Sequence, residues 1–183
     1  MKGLFRELAI TAGLALVIFL ILQTTIQSSI VEGSSMLPGL ENNQRLIVVK
    51  AVYHFRDPQR GDIIIIHPPV APDKQWVKRV IGLPGDTVEV KNHTVYVNNV
   101  ALKEPYIKEA PNYTYGPFQV PAGQYFVLGD NRANSDDSHI FGTVPMANII
   151  GKAWLTIWPL DRWGIVGNFG LPAQVGSSIS PAQ

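Results

Sequence analysis

Three segments carry side chains able to do covalent or acid-base chemistry: VEGSSMLPGL (Val31 to Leu40), WVKRVIGLPGD (Trp76 to Asp86) and GDNRANSDDSHIFG (Gly129 to Gly142). The first offers serine hydroxyls in a loop rich in Gly and Pro. A serine is a poor nucleophile without a base in hydrogen-bond reach. His54, His67, His93 and His139 are scattered along the chain, and spacing leaves a Ser-His-Asp arrangement open, because triads are set by geometry. The second segment offers a lysine. A free lysine has a pKa near about 10.4, so it serves as a base only where burial or a nearby cation lowers that value. Trp76, Val77, Val80 and Ile81 flank Lys78, which fits burial; strand alternation places Trp76, Lys78 and Val80 on one face and Arg79 on the other. A surface lysine beside a surface arginine is the competing reading. The third segment has the oxygens of a cation loop but not its pattern, since Arg132 stands where a ligand is needed and no glycine takes the sixth position. With no cysteine in the chain, disulfides and thiolate metal sites are excluded. Alone, each segment also reads as an ordinary polar loop or turn.

These loops need a scaffold. The chain has 183 residues, enough for one ordinary domain and an appendage. Charged residues make up 16% against 46% hydrophobic, low in charge for a soluble domain, and the net charge of +1 with no basic run argues against nucleic acid as a partner. From Leu8 to Val31 there is no Asp, Glu, Lys or Arg. Residues 8–26 are long and apolar enough to cross a bilayer. Lys2 and Arg6 precede them, which predicts a cytoplasmic N-terminus (residues 1–7) and the remainder outside the cell membrane. A cleaved signal peptide would have a shorter apolar centre and a small-residue cut site, which ILQTTIQSSIVEG lacks.

Beyond the anchor, short β-rich runs alternate with turns. Arg45–Tyr53, Asp62–His67, Gln75–Gly82 and Gln124–Asp130 read as strands, and Ala147–Leu160 as a strand pair or one long bent strand. DTVEV and HTVYV flank Lys91-Asn92, and Asn98-Asn99 divides VYVNNVAL; both read as hairpins. No helical periodicity is convincing after residue 31. The expectation is mainly β: an antiparallel, barrel-like catalytic domain over 27–168, one N-terminal transmembrane helix, and a mobile tail over 169–183.

Taken in order, the segments resemble the type I signal peptidases, membrane-bound Ser/Lys proteases. The family pattern S-M-x-P-x-L matches SSMLPGL, K-R-x-x-G-x-P-G-D matches KRVIGLPGD, and G-D-N-x-x-x-S-x-D-S matches GDNRANSDDS. RGDIII supplies a fourth element, Arg60 to Ile65. The resemblance runs from about Leu8 to Leu160 and leaves no room for the second large insertion domain of some members. It implies Ser35 as nucleophile and Lys78 as base, acting through an acyl-enzyme without cofactor or metal. It implies oxyanion and support roles for Gly33, Ser34, Ser135, Asp137, Arg132 and Asp130, with Ser135 orienting the lysine and an Asp137–Arg132 ion pair fixing the loop. Met36, Leu37 and Pro38 are expected at the substrate. Three departures stand out: Gly33 where some members carry a hydroxyl donor to the oxyanion, Ala133 where many carry Asp, and His139 where some carry Arg.

Ser35 follows Ile26 by nine residues (35 − 26 = 9), a reach of about 30 Å at most. The nucleophile therefore works close to the bilayer, where signal peptides of preproteins emerge, and an extended peptide is expected to add beside a strand. Trp154, Trp158 and Trp163 are candidates for the lipid interface, with core packing as favoured for two of them. Two other functions compete: a Ser/Lys protease with a different target, such as a self-cleaving regulator, and a non-enzymatic anchored β module.

Overall fold

A computed structural model describes residues 2–167 together with Leu171 and Val175. Helix α1 (Lys2–Thr25) runs without a linker into β1 (Ile26–Ile30). There follow β2 (Arg45–Val49), α2 (Val52–Phe55), β3 (Ile63–Ile66), β4 (Trp76–Gly82), β5 (Thr87–Lys91), β6 (Thr94–Val97), β7 (Val100–Ala101), β8 (Tyr115–Gln119), β9 (Gln124–Leu128), α3 (Ser138–Phe141), β10 (Val144–Pro145), β11 (Ile149–Trp158) and β12 (Gly164–Ile165). The fold is mainly β with one apolar N-terminal helix, as the strand runs and the anchor predict. Gly3–Thr25 is long and apolar enough to cross a membrane, and none of it is buried against the domain.

All strand pairs are antiparallel. The larger sheet has the order β1-β2-β11-β3-β4-β9-β10, with β12 on β11; the smaller is β7-β6-β5-β8. Strand β4 is central because both of its faces are covered. Val80 joins Ile64, Ile66, Tyr125 and Val127 in one core, while Ile81 joins Phe126, Leu128 and the inner valines of β5 and β6 in another. Gly82 is required by close approach: a Cβ there would meet Val88 Cγ2 at 2.7 Å. Arg60 and Asp62 of the RGD segment are also buried. Arg60 pairs with Asp86 at 2.9 Å and caps the Ile81 carbonyl. Burial would raise the Asp62 pKa, but hydrogen bonds from Lys152, Arg56 and the Gln59 N–H overcome it and hold the carboxyl below its usual range.

Several local expectations differ. The β5–β6 turn is Asn92-His93, both at positive φ, one residue later than Lys91-Asn92. Strand β2 ends at Val49, because the next two N–H groups, of Lys50 and Ala51, turn to the last carbonyl of α1. Two one-turn helices, α2 and α3, were invisible to periodicity because each is only four residues long. Residues 149–158 form one strand with two register shifts against β2. Trp154, Trp158 and Trp163 are 48%, 53% and 63% exposed, so none of them is core. The rest of the expected tail falls outside the described residues; Leu171 and Val175 themselves are buried with the β5–β6 valines.

Candidate active site

The turn bearing Ser35 is fixed at both ends by its apolar residues. Val31, Met36 and Leu40 are buried in the core under β2 and β3. The Val31 N–H donates to Gln44 O, and Asn43 returns a bond to Val31 O. Gly33 takes φ +84°, a conformation that suits glycine, and its N–H donates to Asn42 Oδ1 at 2.8 Å. Ser34 and Ser35 are left half-buried at the crest.

Lys78 comes from the middle of β4 and is 2% exposed. Its amine donates to Ser135 Oγ at 3.0 Å and lies 5.5 Å from the centre of the Trp76 ring. Burial penalises the ammonium and lowers the pKa to about 8, against the opposing pull of Asp137, Asp136 and Asp130. The tip of Lys78 shares a cleft of about 300 Å³ with Ser35, Gly33, Ser34 and Ser135. Among the described residues no hydrogen bond joins the Lys78 amine to the Ser35 hydroxyl; the amine is held on the Ser135 side.

Strand β9 delivers the third segment at Gly129. A Cβ there would lie 2.2 Å from Ser135 Oγ and 2.6 Å from Ser35 O, so only glycine lets the loop close on the Ser35 turn. Asp137 accepts from the Gly129 N–H at 2.9 Å and from His139 Nδ1 at 2.6 Å, and it caps α3. The ion pair expected between Arg132 and Asp137 is not formed. Arg132 turns instead to the smaller sheet's side and grips Glu104 with two bonds, 2.7 and 2.6 Å, while its Nε donates to Gly129 O at 2.9 Å. Asp137 is already engaged, and Glu104 gives the buried guanidinium a planar, bidentate partner. Asp130 likewise faces away from the cleft and pairs with Arg79 at 2.8 and 2.7 Å. Met36 is corrected as a substrate contact: it is 1% exposed in the core, and neither it nor Leu37 or Pro38 lines the cleft.

Sequence reasoning missed Gly129, Asn131, Asn134 and Glu104. Asn131 and Asn134 tie the third segment to the Ser35 turn, and only their place inside the GDNRANSDDS segment could have flagged them. Nothing local marks Glu104, which meets Arg132 across 28 residues of sequence.

The family model for signal peptidase, peptidase S26, matches residues 4–158. The chain is 48% identical over 165 residues to Signal peptidase I of Leptolyngbya laminosa, covering 86% of this chain and 81% of the relative. It is 47% identical over 163 residues to "Probable signal peptidase I-1" of Synechocystis sp., covering 85% and 83%. Signal peptidase I P of Bacillus subtilis subsp. natto is 41% identical over 160 residues, covering 80% and 85%.

Proposed function

This chain belongs to the signal peptidase family, peptidase S26, and from that premise we propose that it cuts signal peptides from preproteins with Ser35 as nucleophile and neutral Lys78 as base. One observation carries the pairing. A lysine 2% exposed, held by a hydroxyl and lowered to about 8, opens on the same cleft as a serine. At pH 7 about one such lysine in ten is neutral, against fewer than one in a thousand for a free one.

In the first step Ser35 Oγ bonds to the scissile carbonyl carbon and its proton passes to Lys78 Nζ. The tetrahedral intermediate collapses, the C–N bond breaks, and Lys78 returns the proton to the leaving amine of the mature protein. Water then attacks the ester and gives its proton to Lys78; the C–O bond to Ser35 breaks, Lys78 returns the proton to Ser35 Oγ, and the signal peptide leaves with a free carboxyl group. Ser135 keeps the amine in place by accepting its N–H. The Ser35 N–H is the natural donor to the oxyanion, since Gly33 has no side chain to offer.

The substrate lies as a strand beside β1, whose outer edge has no strand partner among the described residues. The side chains of Gln27 and Ser29 on that edge donate to Gln75 Oε1, at 3.2 and 3.5 Å, beside a groove that shares Glu32 with the cleft. Main-chain pairing supplies affinity and shallow pockets select side chains. Helix α1 anchors the enzyme with its N-terminus in the cytoplasm, and the exposed Trp154, Trp158 and Trp163 meet the lipid interface. Full chain reconstituted in vesicles and given a preprotein tests the reading. Ser35→Ala and Lys78→Ala each abolish cleavage while the fold persists; measurable turnover by Ser35→Ala would falsify the assignment.

A further inference from the structure

Two successive carbonyls of the nucleophile turn end on one residue. Asn131 Nδ2 donates to Ser34 O at 3.1 Å, and the Asn131 N–H donates to Ser35 O at 2.9 Å. Ser34 O accepts a second bond, at 3.2 Å, from the Leu37 N–H of its own turn. The carbonyl of Ser34 and the N–H of Ser35 belong to the same peptide unit, which is trans. In a trans unit the two groups point opposite ways across a rigid plane. Seating the oxygen against Asn131 therefore turns the Ser35 N–H away from the Gly129–Ser135 segment. Among the described residues that N–H has no protein acceptor, while the carbonyls of Ser34, Ser35 and Met36 are all engaged.

We propose that Asn131 is the positioning residue of the oxyanion hole, fixing the Ser34–Ser35 peptide plane so that the Ser35 N–H meets the developing oxyanion. This rests on the assignment of Ser35 as nucleophile. Two further observations support it. The Ser35 carbonyl packs so closely on Gly129 that a Cβ would stand 2.6 Å from it, so this stretch is seated as one rigid piece. And Gly33 removes the side-chain donor some relatives have, which leaves catalysis here more dependent on one backbone N–H. An amide whose carbonyl accepts hydrogen bonds is also a better donor through its own N–H. The Asn134 side chain bonds to the Ser34 hydroxyl, at 3.0 Å, and not to the Ser34–Ser35 peptide plane.

The experiment compares Asn131→Asp, Asn131→Ala and Asn134→Ala with wild type in vesicles. It reads kcat, KM, thermal melting, the pH profile, and inhibition by a peptide aldehyde that forms a tetrahedral adduct. The carboxylate in Asn131→Asp cannot donate and repels Ser34 O. Its kcat falls about 100-fold, the size of losing one oxyanion donor, with KM within about three-fold and the profile still breaking near the same pH. Aldehyde affinity falls by a similar factor. Asn131→Ala falls less, about ten-fold, and decides the matter should the Asp variant melt early. Asn134→Ala loses less than either Asn131 variant. The proposal is overturned by equal losses in Asn134→Ala and the Asn131 variants, by a KM effect without a kcat effect, or by unchanged aldehyde affinity. Cleavage surviving in Ser35→Ala would overturn the nucleophile assignment as well, whereas its loss beside full activity in Asn131→Asp overturns this proposal alone.

Discussion

Lys78 and Arg79 are neighbours on one strand, each almost wholly buried, and they face opposite sides of the sheet. Arg79 is saturated. It holds Asp130 with two bonds, donates to the carbonyls of Gly61 and Gly167, and lies 4.0 Å over the Tyr106 ring. Lys78 is starved: its amine has a single hydrogen bond, to an uncharged hydroxyl. A buried cation with a bidentate carboxylate keeps its charge and holds structure together. A buried cation without one is pushed toward neutrality and becomes a base. The same desolvation thus yields a brace on one face of β4 and, on the other, the group proposed as the base.

Replacing each residue by methionine sharpens the contrast. Lys78→Met loses cleavage by at least about 1,000-fold, the scale of a missing general base. Its melting temperature nevertheless rises, because a penalised charge is gone; the gain is on the order of 2 kcal/mol at neutral pH. Arg79→Met does the reverse to stability, leaving Asp130 buried and unpaired at a cost of about 3 to 5 kcal/mol in denaturant unfolding. A Lys78→Met protein less stable than wild type would break the comparison. Glu104→Gln, which strips the buried Arg132 of its carboxylate, costs about 2 kcal/mol and lowers activity only through the Gly129 carbonyl that Arg132 also holds. Ser135→Ala has the smallest effect: about ten-fold in kcat with little change in melting, since a single hydrogen bond to the amine is lost.

Acid and base sharpen it further. The folded Lys78 pKa, about 8, lies below its value in the unfolded chain, near 10.5. Between those values the unfolded chain holds a proton that the folded protein has released, so this group adds stability as pH rises from about 8 and takes it away as pH falls. The cleavage rate has its own limb, climbing as pH approaches about 8 and levelling above it as the base deprotonates. Lys78→Met flattens both curves, whereas Arg79 variants leave the limb in place.

The contrast was half legible in the sequence. Alternation along WVKRVIG places Lys78 and Arg79 on opposite faces, and the apolar flanks point to burial. The ordered segments, the anchor and the antiparallel sheet are likewise readable, because hairpin turns and β-branched runs are local signals. Partner choice is not local. Arg132 meets Glu104 across 28 residues and Arg79 meets Asp130 across 51, so the ion pairs depend on the pairing of β4 with β9 and on where the loop after β7 packs. For the same reason the family resemblance points Arg132 to Asp137, its near neighbour, whereas the buried guanidinium takes Glu104 from the loop after β7. Met36 misled because a large apolar side chain beside a nucleophile serves either a pocket or a core, and only the fold shows that it points inward.

The most direct test is the titration of the Lys78 amine itself, followed by NMR in full-length protein carrying side-chain-labelled lysine, with Lys78→Met to assign the signal. Lys78 is predicted to lose its proton near pH 8, in step with the rise in cleavage rate. Titration above pH 10, like a free lysine, would contradict the account.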